Sequence, residues 1–136
     1  IMLPNVTEAA MMAGLPYRED LEEDYVRELL EKLDHPRVVL TGVGYEEGRT
    51  GVLVKDGDSF FHYTHPKIGK SYHGTGDMFA ACFTGALLQG KTRQESVRIA
   101  ADFVCRAIEN TVREPVHWYG VKFETALPEL IQRLQE

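Results

Sequence analysis

The chain has 136 residues, 43% of them hydrophobic, and 15 Lys and Arg stand against 21 Asp and Glu for a formal net charge of −6. This length and hydrophobic share suit one folded domain with a real core. The acidic balance argues against nucleic acid or an anionic membrane as partner, but it does not exclude a nucleotide, because a helix N-terminus and a metal hold phosphates without a basic patch.

In chain order, Ile1 to Leu3 reads as the end of a strand. Asn5 or Thr7 caps a short helix through Met12, stopped by Gly14 and Pro16. From Glu19 to Leu33 the apolar positions Leu21, Tyr25, Leu29 and Leu33 recur every four residues, with Val26 and Leu30 beside them. That spacing predicts an amphipathic helix with a solvated acidic face, ended by His35-Pro36. Arg37 to Thr41 is apolar at consecutive positions, as a buried parallel strand is. Gly51–Lys55 and Ser59–Thr64 flank Asp56-Gly57-Asp58, a hairpin signal. Pro66 to Tyr72 is a basic loop. Helices are predicted over 77–88, 92–111 and 124–134, the second opened by a Thr92/Glu95 capping box. Strand, helix, strand, hairpin and then several helices define an α/β layered fold.

The most informative stretch is His73-Gly74-Thr75-Gly76-Asp77-Met78, which leads into a run with no charged residue to Gly90. Gly74 and Gly76 let the backbone turn tightly and approach a ligand closely. The first turn of the following helix presents N–H groups without intrahelical partners, and with the helix dipole these make an anion site. Asp77 in that turn either favours the helix terminus as a capping residue or acts as a base toward a group held beside the anion. Met78, Phe79, Ala80, Ala81, Cys82, Phe83, Ala86, Leu87 and Leu88 leave hardly any polar face, so the helix is predicted to be buried all round. Together these features suggest phosphoryl transfer. Thr41 ends the apolar strand, where open α/β sheets place ligands, and Gly42 permits close backbone approach; an ordinary strand end is the alternative. His62 and His65 are three apart and face opposite sides of a strand, so they do not make a metal pair. His73 adjoins the anion site, His35 and His117 read as loop residues, Lys67 and Lys70 as a solvated loop with leaning over a nucleotide as the alternative, and Trp118 and Tyr119 as anchors of the last helix. Cys82 and Cys105, the only cysteines, form no Cys-x-x-Cys and read as buried free thiols of a cytoplasmic protein. No apolar run approaches the roughly 18 residues that span a membrane.

Gly74-Thr75-Gly76-Asp77 followed by Met-Phe-Ala-Ala resembles the C-terminal signature of ribokinase-like small-molecule kinases. The Thr between the glycines resembles pyridoxal kinases in particular, whereas sugar kinases more often carry Ala there and hydroxymethylpyrimidine kinases usually carry Cys at the position of Asp77. Pro4-Asn5-Val6-Thr7-Glu8 is similar to the family's Asn-x-x-Glu, and Val38-Val39-Leu40-Thr41-Gly42-Val43-Gly44 to the strand whose end contacts nucleotide phosphates.

The resemblance implies the C-terminal part of a ribokinase-like three-layer α/β/α fold with a central, mostly parallel sheet. Residues 1–136 would then be one domain, the nucleotide-binding part, without the N-terminal half that supplies most of the vitamin pocket. It implies ATP and Mg²⁺ as cofactors and a vitamin B6 vitamer as substrate, phosphorylated on its hydroxymethyl group. Asp77 would be the catalytic base, and Gly74, Thr75 and Gly76 the phosphate-binding turn. Thr41 and Gly42 would contact the nucleotide. Glu8 would hold magnesium directly or through water, with Asn5 orienting the hydration shell; for both, a purely helix-capping role is the alternative. Rival readings are a hydroxymethylpyrimidine or sugar kinase of the same type, or a nucleotide-binding fragment without catalysis. A cytoplasmic location and a homodimer are expected, the latter because a sheet that begins mid-fold leaves apolar surface uncovered.

Overall fold

The computed structural model describes residues 1–69, 74–113 and 120–136, which divide into two compact units, Ile1–Lys67 and Ile68–Glu136.

The first unit holds α1 (Val6–Ala13), α2 (Glu23–Leu33), β1 (Arg37–Thr41), β2 (Arg49–Asp56) and β3 (Ser59–Pro66). The strands form a sheet in the order β1-β2-β3, antiparallel throughout, with Val39 opposite Val54 and Leu53 opposite His62. Parallel pairing lies on the other side of β1. The first residues run alongside it through the bridges Met2–Val38 and Asn5–Thr41, with Met2 N donating to Arg37 O and Thr41 N to Pro4 O, both at 3.0 Å. The consecutive apolar residues of β1 therefore belong to a central strand with a neighbour on each side: Val38, Val39 and Leu40 are all buried. Ala9 and Ala10 of α1 and Val26, Leu29 and Leu30 of α2 pack with Val38, Leu40 and Val43 into one apolar core.

Helix α1 has the boundaries that its capping residues dictate. Asn5 is the N-cap, and Gly14 closes the helix in the left-handed region at φ 70°. Helix α2 starts four residues later than the apolar spacing predicts: Glu22 is an extended N-cap without a side-chain cap bond. Leu21 packs against the core from outside the helix, so its place in the four-residue pattern reflects burial and not helix. The β2–β3 hairpin turns at Gly57, φ 62°.

The second unit holds α3 (Thr75–Leu88), α4 (Arg93–Arg113), a short 3-10 turn (Phe123–Ala126) and α5 (Leu127–Gln135). The capping box of α4 forms as predicted: Thr92 N donates to Glu95 Oε2 at 2.9 Å and Glu95 N to Thr92 Oγ1 at 3.1 Å. Phe103, Ala107 and Ala126 anchor a small core with Val121, Leu127 and Leu130 around it. Buried Thr111 fastens the end of α4 to the following segment, its hydroxyl donating to Ala107 O at 2.7 Å and accepting from Lys122 N at 2.8 Å. Arg106 pairs with Glu129 at 3.1 Å and Arg133 with Asp102, tying α5 along α4.

Helix α3 departs from the expectation of complete burial. Phe79, Phe83 and Ala86 are buried, with the two phenyl rings stacked at 6.1 Å. Ala81 and Thr84 are exposed, and Leu88 is 83% exposed. An apolar sequence allows burial on every side but does not supply the surfaces to do it. Likewise Cys82 and Cys105 are free but only half-buried. Burial still pushes the Cys82 thiol up to about 11. It raises Cys105 too, helped by the nearby Glu109 and Asp102 carboxylates.

Candidate functional site

The predicted residues fall into two clusters, one in each unit. In the first unit, Asn5, Glu8, Thr41 and Gly42 gather where two parallel segments end. Asn5 opens α1 with a reciprocal cap: its Oδ1 accepts from Glu8 N at 2.7 Å, while Glu8 Oε2 accepts from Asn5 N at 2.9 Å. This is the capping arrangement in full. It leaves Glu8 exposed, and its second carboxylate oxygen has no bonded partner among the described residues. The bridge to Asn5 puts Thr41 beside this cap. The Thr41 N–H is used on Pro4 O, so what Thr41 can offer a ligand is its hydroxyl, which has no partner among the described residues.

Gly42 serves differently from a simple amide donor. Its N–H and that of Val43 both donate to Gly51 O at 3.0 Å. Gly42 stands at φ 81°, where side chains are strained, and a Cβ there would meet nothing within 4 Å. It therefore contributes a turn and open space. The residue missed by sequence reasoning is Gly51, whose carbonyl holds this turn. A Cβ at Gly51 would collide with the Tyr63 carbonyl on β3. The available signal was a glycine inside a strand, which marks close backbone approach.

In the second unit, α3 begins two residues earlier than predicted. Gly74 is its N-cap in the left-handed region, φ 83°, with no side-chain cap. Its carbonyl accepts the first helical bond, from Met78 N at 3.0 Å. Thr75, Gly76 and Asp77 thus form the first turn, whose N–H groups have no intrahelical acceptor. Asp77 is exposed, and its carboxylate has no hydrogen bond or ion pair among the described residues. It does not cap the helix. Gly74 answers to its φ, but Gly76 does not: its φ is not positive, and a Cβ there would touch nothing. A helical glycine costs about 1 kcal/mol relative to alanine, and nothing in the described chain requires this one.

The histidines follow the structural reading. His62 Nε2 lies 3.0 Å from Val43 O and its ring stands edge-on to Tyr45 at 5.5 Å, while His65 Nδ1 is 3.1 Å from Pro66 O. His35 Nδ1 accepts from Arg37 N. Among the described residues there is no cluster of three or more side chains that could hold a metal by themselves, and no helix is long and apolar enough to cross a membrane. Lys70, His73, His117, Trp118 and Tyr119 lie outside the described residues.

A glycine-capped helix start with an unengaged carboxylate, and a capped Asn-x-x-Glu helix beside the end of a central strand, occur here in one α/β chain of ribokinase-like fold. The pyridoxal kinase of Lactobacillus plantarum shares that fold with a TM-score of 0.77 at 24% identity, over 95% of this chain and 48% of that one. Residues 1–120 match the family model for phosphomethylpyrimidine kinase, and the chain belongs to that family. The hydroxymethylpyrimidine/phosphomethylpyrimidine kinase of Bacillus subtilis is 35% identical over 112 residues, which cover 80% of this chain and 41% of that protein. The pyridoxal kinase of Staphylococcus aureus, solved with ADP, is 32% identical with a TM-score of 0.65, over 79% of this chain and 40% of that one. The chain thus spans less than half the length of each of these kinases.

Proposed function

We propose that this chain supplies the nucleotide-phosphate and proton-accepting machinery of an ATP-dependent kinase for a vitamin alcohol. The acceptor is a hydroxymethyl group on a nitrogen-containing aromatic ring, as in pyridoxal, pyridoxine or pyridoxamine. The observation that carries the reading is Asp77, an exposed carboxylate without a partner among the described residues, in the same first helical turn as the backbone amides of Thr75 and Gly76. Those amides and the α3 dipole stabilise charge on the transferring phosphoryl group. Asp77 orients the acceptor hydroxyl and takes its proton as the oxygen bonds to the γ-phosphorus. The bond from that phosphorus to the β,γ-bridging oxygen breaks and ADP departs. The Thr41 hydroxyl and the space at Gly42 receive the nucleotide phosphates.

The donor set fits magnesium. Mg²⁺ keeps several waters and takes one or two carboxylates, and Glu8 offers one oxygen beyond the one that caps Asn5. When bound, the ion neutralises phosphate charge. Asn5 keeps Glu8 in place through the reciprocal cap.

A second reading, phosphorylation of hydroxymethylpyrimidine, is favoured by the family model and the Bacillus relative. Against it stands Asp77, where kinases for that substrate usually have Cys. Both substrates present the same reacting group, so the chemistry assigned to Asp77 is unchanged. The test is turnover of pyridoxal and of hydroxymethylpyrimidine by the longer protein that carries this chain with an acceptor pocket. Pyridoxal should be the better substrate. Asp77→Asn should lower turnover by about a hundredfold to ten-thousandfold while ATP still binds. A variant within about threefold of the parent would remove Asp77 from the role of base.

A further inference from the structure

The turn after Thr41 runs Gly42-Val43-Gly44, and its two glycines leave the backbone free to take many shapes. Neighbouring strands remove that freedom. A Cβ at Gly44 would lie 2.2 Å from the Arg49 carbonyl oxygen, so this residue lies flat against the start of β2. Val43 is fully buried and held at both of its backbone polar groups. Its N–H donates to Gly51 O at 3.0 Å, and its carbonyl oxygen lies 3.0 Å from His62 Nε2. A carbonyl only accepts, so Nε2 carries the proton and donates. His62 reaches the turn from β3, where it stands opposite Leu53 of β2. Tyr45, the residue after the turn, meets the imidazole edge-on at 5.5 Å and 66°.

We infer that His62 is a positioning residue for nucleotide binding. It acts through the Val43 carbonyl and not on the phosphates. The bond from Gly51 fixes one side of Val43, and the bond from His62 fixes the other. Together they hold Gly42 at its φ of 81° and keep open the space beside the Thr41 hydroxyl. Without the His62 bond, the Gly-Val-Gly segment samples other shapes. The apparent affinity for a ligand then falls in proportion to the time the turn spends in its binding shape. This inference rests on the reading that the Thr41–Gly42 turn receives the nucleotide phosphates.

Amide NMR titration of the 136-residue chain with ATP and magnesium tests it, with three substitutions at one position. His62→Leu fills the space without a donor, and the amide of His62→Asn is too short to reach Val43. Each should weaken ATP binding at least about fivefold, while His62→Gln, whose Nε2 takes the place of the ring nitrogen, should stay within about twofold of the parent. A purely structural role would not follow the donor in this way. Circular dichroism identifies any variant that has lost its fold, and Leu and Asn are read independently, so either one decides. If the parent's Thr41 and Gly42 amides ignore ATP, the nucleotide reading fails and this inference with it. If they respond and a folded Leu or Asn variant binds ATP as tightly as the parent, this inference alone is overturned. A folded Gln variant as weak as the Leu variant overturns it as well.

Discussion

Asn5 and Thr41 stand opposite each other across a parallel β-bridge, one opening a helix and the other ending a central strand. This pairing brings the capped carboxylate of Glu8 and the hydroxyl of Thr41 to the same end of the sheet, the end where ligands bind in open α/β folds.

Glu8 has one oxygen in a cap and one to spare, so its two roles separate by substitution. Glu8→Gln can keep an acceptor for Asn5 N–H, and the fold should change in stability by less than about 0.5 kcal/mol. It gives up the negative charge, so the magnesium concentration for half-maximal nucleotide binding should rise. Glu8→Ala should lose both and cost about 1 kcal/mol. Denaturant melts and magnesium titrations of the two variants check this. Unchanged magnesium dependence in both would leave Glu8 with the cap alone.

Thr111 makes two hydrogen bonds from a buried hydroxyl, to Ala107 O and from Lys122 N. Thr111→Val keeps the shape and removes both hydrogen bonds of the buried hydroxyl. A typical intramolecular hydrogen bond contributes about 0.5–1.5 kcal/mol, so chemical denaturation should show a loss of about 1–3 kcal/mol. Thr111→Ser, which restores the hydroxyl, should recover most of it.

Cys82 supplies a pH signature. Its thiol is pushed up to about 11 from an ordinary value of 9.0, first by burial and against a smaller opposing pull from Arg133. The folded state thus holds the proton more tightly than the unfolded chain does. The stability this gives is fully present below pH 9.0 and is lost as pH rises toward 11. Alkylation of Cys82 in the folded chain should be slow at neutral pH and accelerate well above the usual thiol range. Fast alkylation at neutral pH would contradict the burial argument.

Much of this architecture is legible where a local chemical signal exists. Asn5 and Gly14 bracket α1, Thr92 with Glu95 opens α4, and Asp56-Gly57-Asp58 turns the hairpin. Where the signal is a backbone angle or a distant partner, the residues do not reveal it. The start of α3 rests on Gly74 at a positive φ, which shifts the helix two residues toward the N-terminus and draws Thr75 and Gly76 into its first turn. The late start of α2 reflects how Leu21 packs. The role of Gly51 depends on Tyr63, twelve residues on and across the hairpin. In the candidate site, residue types single out the Gly74–Asp77 turn, but only geometry shows that Asp77 is not spent as a cap and that the Gly42 amide is already used.

The most direct measurement is a two-dimensional amide NMR spectrum of the 136-residue chain titrated with ATP and magnesium. If this chain carries the nucleotide-phosphate machinery of a kinase, the amides of Thr75, Gly76 and Asp77 should shift together and saturably, with Thr41 and Gly42 shifting over the same concentration range. The amides of α2 and α5 should stay still. Saturable binding that leaves Thr75 to Asp77 unmoved, or no shifts at all at millimolar ATP, would contradict the account.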